Sequence, residues 1–125
     1  MANLDRIQQM TERLPEAQRV DILAWDGEPT FRVRGKNFVF SDPTGRHISV
    51  KLPKLEAEAV VATDPDATPT GYGLGQHGWV SIALPARPNA SRWRQVEEWV
   101  RTSYTLVAPK TLAKRVLAED GVDAD

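Results

Sequence analysis

Hydrophobic residues recur along this chain with two different periods. In the segments 4–14, 91–104 and 109–117 they fall at every third or fourth position, which is typical of amphipathic helices. In the segments 31–52 and 79–84 hydrophobic and polar residues alternate, which indicates strands with one buried face. Both helices and strands are therefore expected.

The order of these segments predicts an α+β fold. Residues 19–25 alternate well enough for a further strand, Pro53 suits the first turn of a short helix through Ala62, and the Gly- and Pro-rich segment 63–78 predicts a long loop. A meander of strands needs a cover for its hydrophobic face, and helices supply it. We therefore expect a single domain whose mainly antiparallel sheet of about five strands, a four-strand meander plus one, packs against the N- and C-terminal helices.

The composition is that of an ordinary globular protein. The 125 residues include no cysteine, and no hydrophobic stretch approaches the roughly 20 residues that span a bilayer. The N-terminus lacks the hydrophobic region of a signal peptide, so we expect a cytoplasmic protein that does not enter the membrane. The folded domain is expected to cover residues 1–118, followed by an acidic tail at 119–125.

Turn residues predict the register of the alternating segment. Gly35-Lys36 suits a two-residue type II′ turn. The stretch 42–45 suits a type I turn, with Gly45 as a left-handed bulge residue, and this arrangement pairs Phe40 with Ile48. The predicted buried face consists of Phe31, Val33, Phe38, Phe40, Ile48, Val50 and Leu52.

The opposite face of this segment is strongly basic. Residues 31–54 contain six Lys or Arg and one Asp, a net charge of +5, whereas the rest of the chain carries −6. The predicted pleat brings Arg32, Arg34 and Lys51 to one face. Such side chains bind phosphate oxygens, but they also keep a solvent-facing sheet soluble, and both interpretations stay open. The candidates for binding DNA or another anion, weakly and with strong salt dependence, are Arg32, Arg34, Lys36, Arg46, Lys51 and Lys54.

The basic face is predicted to lack aromatic residues. Phe31, Phe38 and Phe40 all fall on the buried face in the predicted register. Proteins that bind single strands without sequence preference stack the bases on aromatic side chains. The predicted arrangement therefore does not favour that mode.

The glycine-rich segment 70–79 provides an alternative site, for a small molecule or a protein partner. It lacks the GK[ST] ending and the GxGxxG spacing of phosphate-binding loops. Long ordered loops nevertheless tend to carry binding residues, and Tyr72, His77 and Trp79 are the candidates for lining a pocket. Trp99, beside the hydrophobic stripe of its helix, is predicted to be half exposed and is a candidate contact for a protein partner or a homodimer.

The sequence contains no recognisable motif for binding a cofactor or a metal or for catalysis. The two histidines, His47 and His77, make a poor metal-ligand set in a chain without cysteine. No GxSxG motif is present. We therefore expect a non-enzymatic protein with no cofactor and no metal.

The amino-acid sequences of several segments resemble those of the MmcQ/YjbR family, and the resemblance extends over about residues 5 to 117. The most specific pieces are FRVRGKNF (31–38), HISVKL (47–52), Trp79 and SYTLV (103–107). The resemblance implies a single α+β domain, a fold likened to secretion chaperones and to a double-wing DNA-binding motif. It also implies a DNA-binding role, and it brings no catalytic residue with it.

The chain departs from the family's pattern at one place. Members often carry a basic residue two or three positions before the tryptophan that matches Trp79. Here those positions are His77 and Gln76, so the resemblance does not imply anion binding there.

Overall fold

A computed structural model describes residues 2–25 and 27–119; most of the predicted acidic tail, residues 120–125, lies outside them. The sheet is antiparallel throughout, in the order β1-β2-β3-β4-β6-β5. The described elements are helices α1 (Asn3–Glu12), α2 (Lys54–Thr63), α3 (Ala90–Val107) and α4 (Lys110–Glu119), and strands β1 (Ala17–Ile22), β2 (Glu28–Val33), β3 (Lys36–Ser41), β4 (His47–Lys51), β5 (Ala67–Pro69) and β6 (Trp79–Ala83). The α+β fold is confirmed, with one strand more than expected because β5 forms within the predicted loop.

The turn between β2 and β3 lies one residue earlier than predicted. Arg34 and Gly35 form it, with φ of 51° and 79°, the left-handed pair of a type I′ turn. Val33 therefore pairs with Lys36 rather than with its predicted partner two residues further on. Two hydrogen bonds from the Arg34 guanidinium to the Glu16 carboxylate help to hold this non-glycine residue in the left-handed conformation.

A β-bulge in β3 changes the direction of its side chains. The partners of the successive residues Phe31 and Arg32 are Val39 and Asn37, so Phe38 is an extra residue in the strand. Phe38 and Val39 are both fully buried. Beyond the bulge, the side chains of β3 point to the face opposite to the predicted one.

Phe40 consequently leaves the core. It pairs with Ser49, whereas the prediction paired it with Ile48. Gly45 has the predicted left-handed conformation, with φ of 72°, but the loop closes one residue later, and Ser41 takes the inward position opposite Ile48. The prediction that Phe40 is a core residue is wrong because strands β2 to β4 contain two irregularities, the bulge in β3 and the Gly45 loop. The predicted register allowed only for the Gly45 loop.

The hydrophobic core lies between one face of the sheet and the helices. Helices α1 and α3 pack on the sheet, α4 packs on α3, and the Arg92–Asp64 ion pair joins α3 to the end of α2, with 2.6 Å between Nη1 and Oδ2. The described side chains on the other side of the sheet lie outside this core cluster. Six residues of the predicted buried face are buried as expected, namely Phe31, Val33, Phe38, Ile48, Val50 and Leu52.

A hydroxyl group from α3 completes the hydrogen bonding at the bulge. Ser103 is fully buried; its Oγ donates to the carbonyl oxygen of Phe38 at 2.6 Å and accepts from the N–H of Lys51 at 2.8 Å. This one hydroxyl thus bridges β3 and β4 at Phe38 and Lys51, one position beyond their last register pair, Val39–Val50. The next residue, Tyr104, makes an edge contact with the Phe38 ring at 5.3 Å. Helix α3 therefore fixes the bulge that turns Phe40 outward.

Candidate anion-binding face

The side of the sheet that faces away from the hydrophobic core is called the open face below. Its residues follow from the strand register and the alternation of side chains along each strand. Strand by strand, the open face carries Gln18, Val20, Ile22, Glu28, Thr30, Arg32, Asn37, Phe40, His47, Ser49, Lys51, Thr68, Trp79, Ser81 and Ala83.

Two of the six predicted cationic residues lie on the open face, and two more lie at one end of the sheet. Arg32 and Lys51 project from the open face on either side of β3. Lys36 begins β3 at the end of the sheet where Lys51 ends β4, but it pairs with the core residue Val33 and so projects from the helical side. Lys54 begins α2 three residues after Lys51. We refer to Arg32, Lys36, Lys51 and Lys54 as the cationic set.

The other two predicted cations are engaged elsewhere. The Arg34 guanidinium donates to both oxygens of Glu16, at 2.6 and 2.8 Å, and these hydrogen bonds hold the pKa of the Glu16 carboxyl below its usual value. The prediction that Arg34 shares a face with Arg32 and Lys51 is wrong because the type I′ turn places it at the tip of the hairpin. Arg46 lies in the β3–β4 loop at the opposite end of the sheet, where its Nε donates to the carbonyl oxygen of Leu84.

The cationic set has no carboxylate partner in the part of the chain that the structure describes. None of its members takes part in an ion pair there, and the Nε of Arg32 donates only to the hydroxyl of Thr30, at 3.2 Å. On the helical side, by contrast, arginines are paired with carboxylates, as Arg92 is with Asp64. The cations of this set are therefore free of ion pairs among the described residues, although the carboxylate of Glu28 lies on the same face, at the far end of β2 from Arg32.

Two aromatic rings meet on the open face, contrary to the prediction. Phe40 contacts Trp79 in an edge arrangement, with 5.2 Å between ring centroids and an interplanar angle of 63°. The core cluster includes Val80 and Ile82 from the same strand as Trp79 but neither of these rings. Trp79 is only 8 % exposed, whereas Phe40 is half-buried. The open face therefore offers an aromatic ring beside its cations.

Polar groups surround these rings. The hydroxyl groups of Ser49 on β4, Ser81 on β6 and Thr70, which follows β5, form a chain with separations of 2.8 and 2.9 Å. The side-chain oxygen of Asn37, on β3 beside Arg32, is buried and has no hydrogen-bond partner among the described residues. A buried acceptor without a partner is costly, and a bound molecule or water that donates to it would remove that cost.

The predicted pocket residues of the 70–79 loop do not lie together. A cleft of about 290 Å³ lies between α2 and this loop, and Trp79 lines it. Tyr72, with φ of 59°, is fully exposed, and neither it nor His77 is among the lining residues. The described residues that line the cleft are Lys54, Ala57, Glu58, Val61, Ala62, Pro69, Gly75, Gln76, Trp79 and Val80.

A second groove, of about 580 Å³, lies on the helical side. Arg94 and Arg101 line it together with Glu97 and Glu98, so its charges are mixed. Trp99 of the same helix is 7 % exposed and lies beneath the Arg92 guanidinium, 5.3 Å from its ring centroid. The prediction that Trp99 is half exposed is therefore wrong.

No cluster of three or more His, Cys, Asp or Glu side chains within residues 2–25 and 27–119 is placed to hold a metal ion. In the same ranges, no helix is both long and apolar enough to cross a bilayer.

Together, the helices on one side and the open antiparallel sheet on the other define a small two-layer α+β domain. Residues 12–106 match the YjbR family model, and the chain belongs to the YjbR family. It is also similar in fold to a crystal structure of the Deinococcus radiodurans protein DR2400, which has a DUF419 domain. That match has a TM-score of 0.72 at 24 % identity and covers 98 % of this chain and 90 % of the other. A search of curated proteins finds no match.

Proposed function

We propose that this protein is a non-enzymatic DNA-binding domain that contacts phosphates through the cationic set, Arg32, Lys36, Lys51 and Lys54. One observation carries the proposal: Arg32 and Lys51 lie on the open face, Lys36 and Lys54 lie at its end, and none of the four has a carboxylate partner among the described residues. Lysine and arginine side chains contact phosphate oxygens without reading sequence. A DNA backbone therefore complements this surface.

The number of cations sets the expected salt dependence. If all four contact phosphates, log K falls with log salt with a slope of about −2.8 for a single strand and −3.6 for a duplex. Between 50 and 200 mM salt, affinity should then fall by roughly 50- to 150-fold. Such binding is weak at physiological ionic strength, with a Kd of about 10⁻⁴ to 10⁻⁶ M.

The test is a fluorescence anisotropy titration of a labelled DNA oligonucleotide at both salt concentrations. The double variant Arg32→Ala/Lys51→Ala should bind more weakly at low salt and reduce the slope by about 1.4 to 1.8. The control, Lys110→Ala/Lys114→Ala, removes the same charge from exposed positions on α4. Absence of binding at 50 mM salt, or equal losses in both variants, would sink the proposal.

A second candidate function is suggested by the cleft between α2 and the 70–79 loop. Its floor is largely apolar, including Val61 and Trp79, with Lys54 and Glu58 among the lining residues, so it suits a small apolar molecule with one polar group. A fragment screen by NMR tests this, because a true ligand shifts the Trp79 indole and Val61 methyl signals together. If every bound fragment leaves both signals unmoved, this candidate is excluded.

A further inference from the structure

We infer that the open face prefers single-stranded over duplex nucleic acid, and that Phe40 is the side chain against which a base stacks. This deepens the proposed function and rests on it, since phosphate contacts by the cationic set hold the strand in place. The inference draws on the width of the sheet, the position of Phe40 and the polar groups beside it.

The sheet is too wide to enter a groove of duplex DNA. Six strands about 4.8 Å apart span roughly 24 Å, whereas the major groove is about 12 Å wide. The basic hairpin β2–β3 is not a free ribbon, because β1 pairs along all of β2 and β4 pairs with the second half of β3. A duplex therefore meets this face only through its backbone, while an unpaired strand can lie flat across it.

Phe40 is placed to meet a base rather than to fill the core. It stands on the third of six strands, faces away from the helices and is not part of the core cluster. Its register neighbours on the open face, Thr30 and Ser49, are small and polar. The half-buried ring therefore stands beside smaller side chains, where a planar base can cover its exposed part.

The neighbouring side chains prepare Phe40 for this contact. The edge contact with Trp79, at 5.2 Å, restricts the Phe40 ring before any ligand arrives, so little side-chain entropy is lost on binding. Arg32 and Lys51 lie on the strands to either side, within the spacing of one or two strands. A base on Phe40 would thus have cations on both sides for its phosphates.

Asn37 adds a hydrogen-bonding group to this arrangement. Asn37 lies on the same strand as Phe40. Its buried side-chain oxygen has no hydrogen-bond partner among the described residues. Bases in a duplex have their edges paired, whereas an unpaired base presents N–H donors that such an amide accepts. The unpaired Asn37 oxygen therefore also favours binding of a single strand over a duplex.

The experiment compares oligonucleotides of equal phosphate count in anisotropy titrations at 50 mM salt. The probes are a single strand, the same strand with abasic sites and a duplex. The single strand is tested both as DNA and as RNA, which shows which of the two nucleic acids binds more tightly. Wild-type protein should bind the intact strand about 5- to 150-fold more tightly than the abasic strand for one stacked base. It should also bind the intact strand more tightly than the duplex.

Variants of Phe40 assign this difference to the ring. Phe40→Leu should lose most of the preference for the intact strand, while Phe40→Tyr, which keeps the ring, should retain the preference. Melting temperatures of both variants check that the fold is intact.

The outcomes separate this inference from the proposed function. If the wild type binds intact and abasic strands equally, or the duplex as tightly as the single strand, the inference is overturned and the phosphate contacts stand. If no probe binds, the proposed function fails as well. The wild-type comparison decides even if a variant does not fold.

Discussion

Ser103→Ala is the most informative perturbation of the fold, because one hydroxyl satisfies two backbone groups. Its removal leaves the Phe38 carbonyl oxygen and the Lys51 N–H without their partner, at 2.6 and 2.8 Å in the native protein. An unsatisfied buried group costs about 1–3 kcal/mol, and water reaches the partly buried Lys51 N–H more easily. We therefore expect the free energy of unfolding to fall by about 2–4 kcal/mol.

Thermal and urea unfolding, followed by circular dichroism, measure this loss. For a domain of 125 residues each kcal/mol corresponds to roughly 4 °C in Tm, so Tm should fall by about 8–16 °C. The matched control is Ser91→Ala, the same change at an exposed position of the same helix. A Ser103→Ala variant within about 0.5 kcal/mol of this control would refute the bridging role of the hydroxyl.

Two further predictions concern the loop and the helix clamp. Gly78→Ala should lower the free energy of unfolding by about 2 kcal/mol or more, because φ is 90° and the new Cβ would meet the Leu52 carbonyl. Gly71→Ala is the control, and it should be near neutral in the same urea titration because open space surrounds this glycine. Hydrogen bonding to Arg92 keeps the pKa of Asp64 below its ordinary 3.8, so this carboxylate stabilises the fold above that pH and less as pH falls through the folded pKa. The Tm gap between wild type and Asp64→Asn should therefore be widest near neutral pH and shrink below about pH 4; a constant gap would contradict this.

The element types were predictable from the sequence, whereas the register of β3 was not. Hydrophobic periods of three to four and of two locate the helices and most strands, because each element buries one side. The three consecutive hydrophobic residues 38–40 were the available signal of a bulge, since strict alternation forbids such a run. What the local pattern lacks is the distant partner: Ser103 stabilises the bulge from 65 residues away.

The positive charge of the candidate site was predictable from the sequence, but the residues that form the site were not. The +5 balance of residues 31–54 identified the cations. Which of them is unpaired depends on tertiary contacts, since Glu16 occupies Arg34 across 18 residues of sequence. The aromatic component was missed because a shift of one residue in a strand moves a side chain such as Phe40 to the other face.

The central claim, that the open face binds nucleic acid, is tested most directly by chemical-shift mapping. The isotope-labelled protein is titrated with a short single-stranded oligonucleotide at 50 mM salt, and amide shifts are followed. The largest changes should fall on Arg32, Asn37, Phe40 and Lys51, and they should reverse on adding salt. Changes concentrated instead in the groove of the helical side, or no changes at all, would contradict it.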